Sequence, residues 1–98
     1  DYSTRSLSNL RLQHPDWEAR FHTWRMDWDA NTIRLYVDDI LMNSPSLSGT
    51  KNPDGSNPFI DKPFYILINL AIGGNNGGDP AGTAFPSRYE IDYVRVYQ

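Results

Sequence analysis

The sequence predicts an all-β fold of antiparallel strands, and three observations support this prediction. Apolar and polar residues alternate in several segments with the two-residue period of a strand, whereas no segment sustains the period of a helix. Aromatic residues make up 13% of the 98 residues, with three Trp and six Tyr, and these residues favour strands. Stretches rich in Gly, Pro, Ser and Asn separate the alternating segments, as turns and loops do. The length predicts one domain or less.

The first half of the chain predicts a leading segment followed by a three-stranded meander. Residues 1–16 show no sustained period, so we expect a loop with one short turn. Alternation over residues 17–28 predicts one long strand. Turn formers at residues 29–31 lead into a second strand at residues 32–37, which completes a hairpin. Residues 40–42 then predict a short third strand beyond a tight turn.

The second half predicts long loops around apolar strands. Residues 43–62 and 73–86 are expected to be long loops, the first of them a functional rim. The run PFYILINLAI at residues 63–72 is the most apolar of the chain and predicts a central, most buried strand. Its one strongly polar side chain, Asn69, needs a hydrogen-bonding partner or a ligand. Residues 88–98 predict a last strand with apolar groups on both faces.

Composition excludes several functional classes. Nine Lys and Arg stand against 12 Asp and Glu, the net charge is -3 and the cations never cluster, so nucleic acid is not an expected partner. A mean hydropathy of -0.60, without an apolar run of about eighteen residues, predicts no membrane span. The absence of cysteine excludes disulfides and thiolate chemistry. The glycine-rich residues 73–86 lack the Lys-Ser/Thr of a phosphate-binding loop. Because no basic and then apolar segment opens the chain, we expect its start to be a mature or a cut end.

Three segments in order, FHTWRMDWDANTIRLYVDD, PFYILINLAIGGNNGGDP and YEIDYVRVYQ, carry a family resemblance. Together they resemble the C-terminal half of glycoside hydrolase family 16, the laminarinase and lichenase-like β-glucanases, over most of residues 20–98. The resemblance implies an antiparallel β-sandwich, a jelly roll of the concanavalin A-like type, with a substrate cleft on its concave face. Residues 1–98 would then form the C-terminal portion of one such domain.

The resemblance also implies a retaining endo-β-glycanase that hydrolyses a β-1,3 or mixed β-1,3/1,4 glucan, or a related polysaccharide. The family uses Glu-x-Asp, one or two further residues and a second Glu on one strand, where alternate residues share a face. This chain has two glutamates, Glu18 and Glu90, and only Glu90-Ile91-Asp92 begins like that motif. Val94 or Arg95 stands where the second Glu should fall. We therefore expect no catalytic residue in this chain, and the chain alone to be inactive.

The resemblance implies binding roles for two residues of this chain. Asn69 corresponds to the family Asn that contacts sugar, with a buried amide satisfied by a neighbouring strand as the alternative. Asp92 matches the family Asp that helps bind a structural calcium, with a solvated strand Asp as the alternative. No cofactor is expected for catalysis.

The predicted strand at residues 17–28 carries aromatic residues that suit either a sugar-binding surface or a core. Alternation places His22, Trp24, Met26 and Trp28 on one face. Core packing is favoured over sugar stacking because Met26 shares this face. His22 is then a hydrogen-bonded core histidine and not a metal ligand.

The expected partners follow from the incomplete domain. A half sandwich leaves strand edges unpaired and one core face uncovered. We expect this surface to take the N-terminal half of the same domain or a second copy of the chain, besides the polysaccharide, in an extracellular or periplasmic protein. A non-catalytic carbohydrate-binding β-sandwich and a purely structural half-domain remain the alternative functions.

Overall fold

The computed structural model describes residues 6–98, which divide into two compact units. The first unit ends at Phe64 and the second runs from Tyr65 to Gln98. The first contains helix α1 (Leu7–Gln13), a 3₁₀ turn (Trp17–Ala19) and three strands, β1 (Trp24–Trp28), β2 (Ile33–Val37) and β3 (Ile40–Asn43). The second contains helix α2 (Gly74–Gly77) and a 3₁₀ turn (Pro80–Gly82). Within the described residues, no helix has the length and apolar character that crossing a bilayer requires.

The strands form one antiparallel sheet in the order β1-β2-β3, so the predicted hairpin and third strand are confirmed. The β1–β2 register runs from Trp24 opposite Val37 to Trp28 opposite Ile33. The Asp29 carboxylate closes the connecting turn by accepting hydrogen bonds from the amides of Asn31 and Thr32, at 2.8 and 2.9 Å. This Asx turn explains why the chain reverses there.

A two-residue turn joins β2 to β3. Asp38 and Asp39 have φ values of 50° and 65°, the left-handed conformation that a type I′ hairpin turn requires at both central positions. Asp tolerates this conformation better than most residues because its short polar side chain can hydrogen-bond locally. The pairing of β2 with β3 also contains an irregularity of the β-bulge type, because its register shifts between Leu35 and Tyr36.

Two expectations for the start of the chain are corrected. In the leading segment, residues 1–5 lie outside the described residues, and residues 6–16 contain α1 in place of the expected loop with one turn. The first turn of α1 is capped by the Ser6 hydroxyl accepting from the Ser8 amide at 3.2 Å. The predicted strand at residues 17–28 begins only at Trp24. The Arg20 amide donates to the Trp17 carbonyl at 3.4 Å, and this 3₁₀ turn takes residues 17–19 out of the extended conformation that a strand requires.

The buried core of the described residues lies in the first unit and consists of Trp17, Val37 and Leu47. Leu47 belongs to the predicted long loop and is 2% exposed. Its amide donates to the Asn31 carbonyl at 2.8 Å, and its carbonyl accepts from the Asn57 side chain at 2.8 Å. These bonds anchor the middle of the loop beside the β1–β2 turn.

The strands predicted for residues 63–72 and 88–98 are absent. Residues 63–72 and 88–98 belong to no strand, and their large apolar side chains are exposed, as at Leu67, 69% exposed, and Val96, 71% exposed. The prediction of a central, most buried strand at residues 63–72 is therefore wrong for this structure, and residues 6–98 contain three strands where five were expected. Alternation specifies which side chains share a face, but burial requires a neighbouring strand or layer, and these segments have no ladder partner among the described residues.

Candidate functional site

One face of the sheet in the first unit is apolar and is open to solvent over much of its area, although Val37 at one end is buried. Trp24, Met26 and Trp28 of β1 lie opposite Val37, Leu35 and Ile33 of β2, so their side chains share this face. Trp24 is 70% exposed and Met26 54% exposed. An uncovered face of this kind marks a surface that another layer or a ligand covers.

An aromatic cluster of Trp28, Phe59 and Phe64 lies at one end of this face. The Trp28 ring meets those of Phe64 and Phe59 edge-on, with centroids 5.3 and 6.4 Å away, and Phe59 and Phe64 stack at 6.1 Å. A cleft of about 330 Å³ beside the cluster is lined by Trp28, Asp29, Ala30, Phe59 and Ile60. Chemically, such rings offer apolar faces for stacking or core packing.

The opposite face of the sheet is charged and internally paired. The Arg25 guanidinium lies 3.9 Å from the centroid of the Tyr36 ring and donates to the Asp39 carboxylate at 2.6 Å. Its Nε also lies 3.2 Å from an oxygen of Asp27. These groups are partly or fully exposed, so they form a solvated surface and bring no reactive pair together.

A second cluster joins the 3₁₀ turn to the hairpin and consists of Trp17, His22 and Asp38. His22 Nδ1 lies 2.5 Å from Asp38 Oδ2, and Nε2 lies 2.5 Å from the Trp17 carbonyl oxygen. The indole of Trp17 stacks on the imidazole with centroids 4.0 Å apart. The other oxygen of Asp38 accepts from the Thr23 amide at 3.0 Å. The prediction that His22 is hydrogen-bonded is confirmed, but His22 is not among the buried core residues, and Trp24 and Met26 on the same predicted face are exposed.

These contacts change two pKa values. The hydrogen bond to the Trp17 carbonyl raises the pKa of His22, burial opposes it, and Asp38 adds to the increase, so the net pKa is raised. Burial alone would raise the pKa of Asp38, but the Thr23 amide and then His22 outweigh it, and the net pKa is lowered. Both shifts favour the charged forms of the two groups.

The two predicted binding residues lie in the second unit, where both are exposed. The structure places Asn69 within residues 63–72 and Asp92 within residues 88–98, and neither residue lies in a strand. Their predicted roles thus stay predictions. No group of three His, Asp or Glu in residues 6–98 is arranged to hold a metal ion. A single Asp92 carboxylate does not supply the roughly six to eight oxygen ligands that calcium prefers, so the described residues do not fit a calcium site.

Neither glutamate has the surroundings of a catalytic carboxylate. Glu18 forms an exposed ion pair with Arg11. The hydrogen bond to Arg11 lowers the pKa of Glu18, burial opposes it slightly, and the Arg11 charge lowers the pKa further, which keeps Glu18 ionised and unsuited to general acid catalysis at neutral pH. Glu90 is exposed in the second unit.

A comparison with known protein families shows to which family the chain belongs. The model of glycosyl hydrolases family 16 matches residues 2–95. The chain belongs to this family. The three segments that carry the resemblance in the sequence are thus confirmed as family sequence, and the small antiparallel sheet is consistent with a β-sandwich family.

Curated relatives cover most of this chain but are much longer. A glucan endo-1,3-beta-glucosidase A1 of Niallia circulans is 34% identical over 83 residues, which are 80% of this chain and 12% of the relative. A beta-glucanase of Rhodothermus marinus is 36% identical over 94 residues, 89% of this chain and 32% of the relative. A beta-1,3-glucan-binding protein of Penaeus monodon is 38% identical over 79 residues, 65% of this chain and 21% of the relative. The chain thus spans about a third or less of each of these relatives. No solved structure matches the chain significantly.

Sequence reasoning missed two members of the cluster around His22. Asp38 was expected only as part of the tight turn before the third strand and not as a partner of His22, and Trp17 was expected to open a strand. The consecutive Asp38 and Asp39 were a usable signal, because Asp is among the residues that accept the left-handed conformation of a two-residue turn. The contact between Trp17 and His22 has no comparable signal in the sequence, because it depends on the 3₁₀ turn.

Proposed function

We propose that this chain is part of an endo-β-glycanase that hydrolyses a β-1,3 or mixed β-1,3/1,4 glucan, or a related polysaccharide, with retention of configuration. The observation that carries the proposal is the family match over residues 2–95. Relatives named as a glucan endo-1,3-beta-glucosidase and a beta-glucanase support the β-glucan as substrate. The enzyme would be extracellular or periplasmic, where such polysaccharides occur.

In this proposal the chain forms the C-terminal portion of one jelly-roll domain. The open apolar face of β1 and β2 supports an incomplete domain, since Trp24 and Met26 expose more than half of their surface. The N-terminal half of the same domain would cover such a face, with a second copy of the chain as the alternative. That half would also supply the two catalytic glutamates, which this chain lacks.

The first test compares the chain with a longer protein from the same reading frame. The 98-residue chain should release no reducing ends from laminarin, a β-1,3 glucan, because a retaining mechanism needs two carboxyl groups about 5 Å apart. A longer protein that includes an upstream Glu-x-Asp-x-x-Glu strand should release them and give products with retained anomeric configuration. Release at an enzymatic rate by the chain alone would contradict the assignment.

Asn69 is proposed to hydrogen-bond a glucosyl hydroxyl in the assembled enzyme. Its exposed amide has both donor and acceptor atoms to offer a sugar. Asn69→Ala in the longer protein should lower kcat/KM by roughly ten- to a hundredfold with little change in Tm. Asn9→Ala, at another exposed Asn that lies on α1, is the matched control and should change neither value. A Tm several degrees lower with normal kcat/KM would instead assign Asn69 a structural role.

A non-catalytic carbohydrate-binding protein is the second candidate. The relative named as a beta-1,3-glucan-binding protein favours it, at 38% identity over 79 residues. Affinity electrophoresis of the longer protein in laminarin gels, together with the reducing-end assay, separates the two candidates. Retardation without hydrolysis would support the binding protein, whereas hydrolysis would support the enzyme.

A further inference from the structure

The two ring nitrogens of His22 both face hydrogen-bond acceptors. Nδ1 lies 2.5 Å from a carboxylate oxygen of Asp38, and Nε2 lies 2.5 Å from the carbonyl oxygen of Trp17. A carbonyl oxygen and an ionised carboxylate can only accept. Each nitrogen must therefore carry a proton for both contacts to be hydrogen bonds, which requires the imidazolium form.

A neutral His22 would break one of these contacts. A neutral imidazole has one donor and one acceptor nitrogen, so one lone pair would face the lone pair of an oxygen at 2.5 Å. Water has little room to intervene, because the side chain is 8% exposed and one ring face is covered by the indole of Trp17 at 4.0 Å. Loss of the proton thus removes a charge-assisted contact and adds a repulsive one.

We propose that Trp17, His22 and Asp38 form a pH-operated latch, which fastens the 3₁₀ turn Trp17–Ala19 to the β2–β3 turn while His22 is protonated and releases it when His22 loses its proton. Asp38 is suited to its part because its second oxygen is fixed by the Thr23 amide at 3.0 Å. The latch is a property of the first unit and is independent of the proposed glycanase function.

Charged groups around the latch come from every element packed against it. Asp38 favours the charged ring, whereas the Arg20 charge disfavours it. Asp16 lies 3.9 Å from Arg20. Of the remaining neighbours, His14 lines the adjoining cavity, Glu18 is paired with Arg11, and Asp39 is paired with Arg25.

Release of the latch would open the adjoining cavity. This cavity of about 260 Å³ has an apolar lining that includes Leu10, Trp17, Phe21, Val37, Ile40 and Met42. Trp17 and Val37 are 8% and 6% exposed, so detachment of the 3₁₀ turn would expose two of the three most buried side chains of the described residues. Binding of one proton by His22 is therefore coupled to the packing of apolar side chains in the first unit.

The direction of the pH effect follows from the pKa of each group. The pKa of His22 is raised above its ordinary value of 6.5, so its contribution is complete below about pH 6.5 and is lost as the pH rises through the higher folded value. The pKa of Asp38 is lowered below 3.8, so its contribution is complete above about pH 3.8 and is lost as the pH falls through the lower folded value. The latch is thus closed at mildly acidic pH.

Nitrogen-15 NMR of the imidazoles in the complete chain tests the protonation state without any substitution. At about pH 6.5 both His22 nitrogens should show mainly the chemical shifts of protonated nitrogen. As the pH rises through the His22 titration, the amide of Thr23 should lose about tenfold or more of its protection, after correction for intrinsic exchange. A neutral His22 at about pH 6.5, or Thr23 protection that ignores the titration, would overturn the proposal.

A pair of neighbouring substitutions supplies the matched control. Asp38→Asn removes the charge that faces Nδ1, whereas Asp39→Asn removes a charge that faces Arg25 instead. The His22 titration should move to lower pH in Asp38→Asn and stay in place in Asp39→Asn. An equal shift of His22 in the two variants would mean that it senses only general charge, and the latch would be wrong.

Discussion

The two units of the chain contain similar apolar patterns but reach different structures. In the first unit, β1, β2 and β3 follow one another through short turns and pair with their sequence neighbours. In the second unit, residues 65–72 and 88–98 show the same alternation without forming strands. The entropy of closing a short turn is small, whereas pairing with a distant segment requires that segment to be present and a long loop to close. The difference shows that alternation becomes a sheet only where the partner strand lies close in the chain.

Burial differs between the units in the same way. Val37 and Leu47 of the first unit are 6% and 2% exposed, whereas Leu67 and Val96 of the second are 69% and 71% exposed. Two contributions from outside the sheet make the first unit compact: the loop that carries Leu47 and the cluster of Trp17, His22 and Asp38. The second unit has no buried side chain among its described residues.

Hydrogen exchange should give the largest contrast between the units. In the 98-residue chain, amides of β2 should be protected by up to the full free energy of unfolding, because β2 is paired on both sides, while amides of residues 64–72 should exchange about as fast as those of residues 73–86. In the longer protein, residues 64–72 should become protected. Equal protection of β2 and residues 64–72 in the chain alone would remove the contrast and restore the central strand predicted from the sequence.

A substitution at Leu47 tests whether this loop side chain belongs to the core that distinguishes the first unit from the second. Leu47→Ala should lower the free energy of unfolding by about 2 to 4 kcal/mol, because it removes a side chain that is 2% exposed and leaves a cavity. Leu12→Ala on α1, where the side chain is 83% exposed, is the control and should change it by less than about 0.5 kcal/mol. Urea unfolding followed by circular dichroism measures both. Similar losses in the two variants would show that the loop does not anchor the first unit.

The smallest effect is expected at the turn that makes β3 a local partner of β2. Asp39→Val should destabilise the hairpin by about 1 to 2 kcal/mol, because a β-branched residue is strained at a φ of 65°. Asp39→Gly removes the same contact with Arg25 but accepts that φ, so it should be at least as stable as the unmodified chain. Equal urea midpoints for the Val and Gly variants would show that turn conformation does not limit β2–β3 pairing.

The three-stranded meander could be predicted from the sequence, because side-chain alternation and turn-forming residues act over only a few residues. The alternation of Ile33, Leu35 and Val37 and the turn at Asp29 predicted β2 and its hairpin, and both were found. The same reasoning failed at Trp17, because the 3₁₀ turn that bends the chain is stabilised by a contact with His22 five residues later. It also failed at α1, a seven-residue helix too short to show a clear period.

The candidate site was predicted mainly from family resemblance. The three segments that resemble family 16 led to the correct family, which the match over residues 2–95 confirms. The proposed roles of Asn69 and of upstream glutamates depend on a substrate cleft that only the family resemblance implies. His22 was predicted to be hydrogen-bonded, but its partners were not, since Asp38 is sixteen residues away in the chain.

By itself the sequence determined the family, the absence of a paired catalytic glutamate motif, and the strands and turns whose partners are neighbours in the chain. Only the tertiary structure decided which apolar side chains are buried, that Leu47 in a polar loop is among them, and that His22 lies between two acceptors. The physical reason is that backbone preferences and side-chain alternation act within a few residues. Burial, and the protonation state that follows from it, depend on the groups that folding brings together from distant positions.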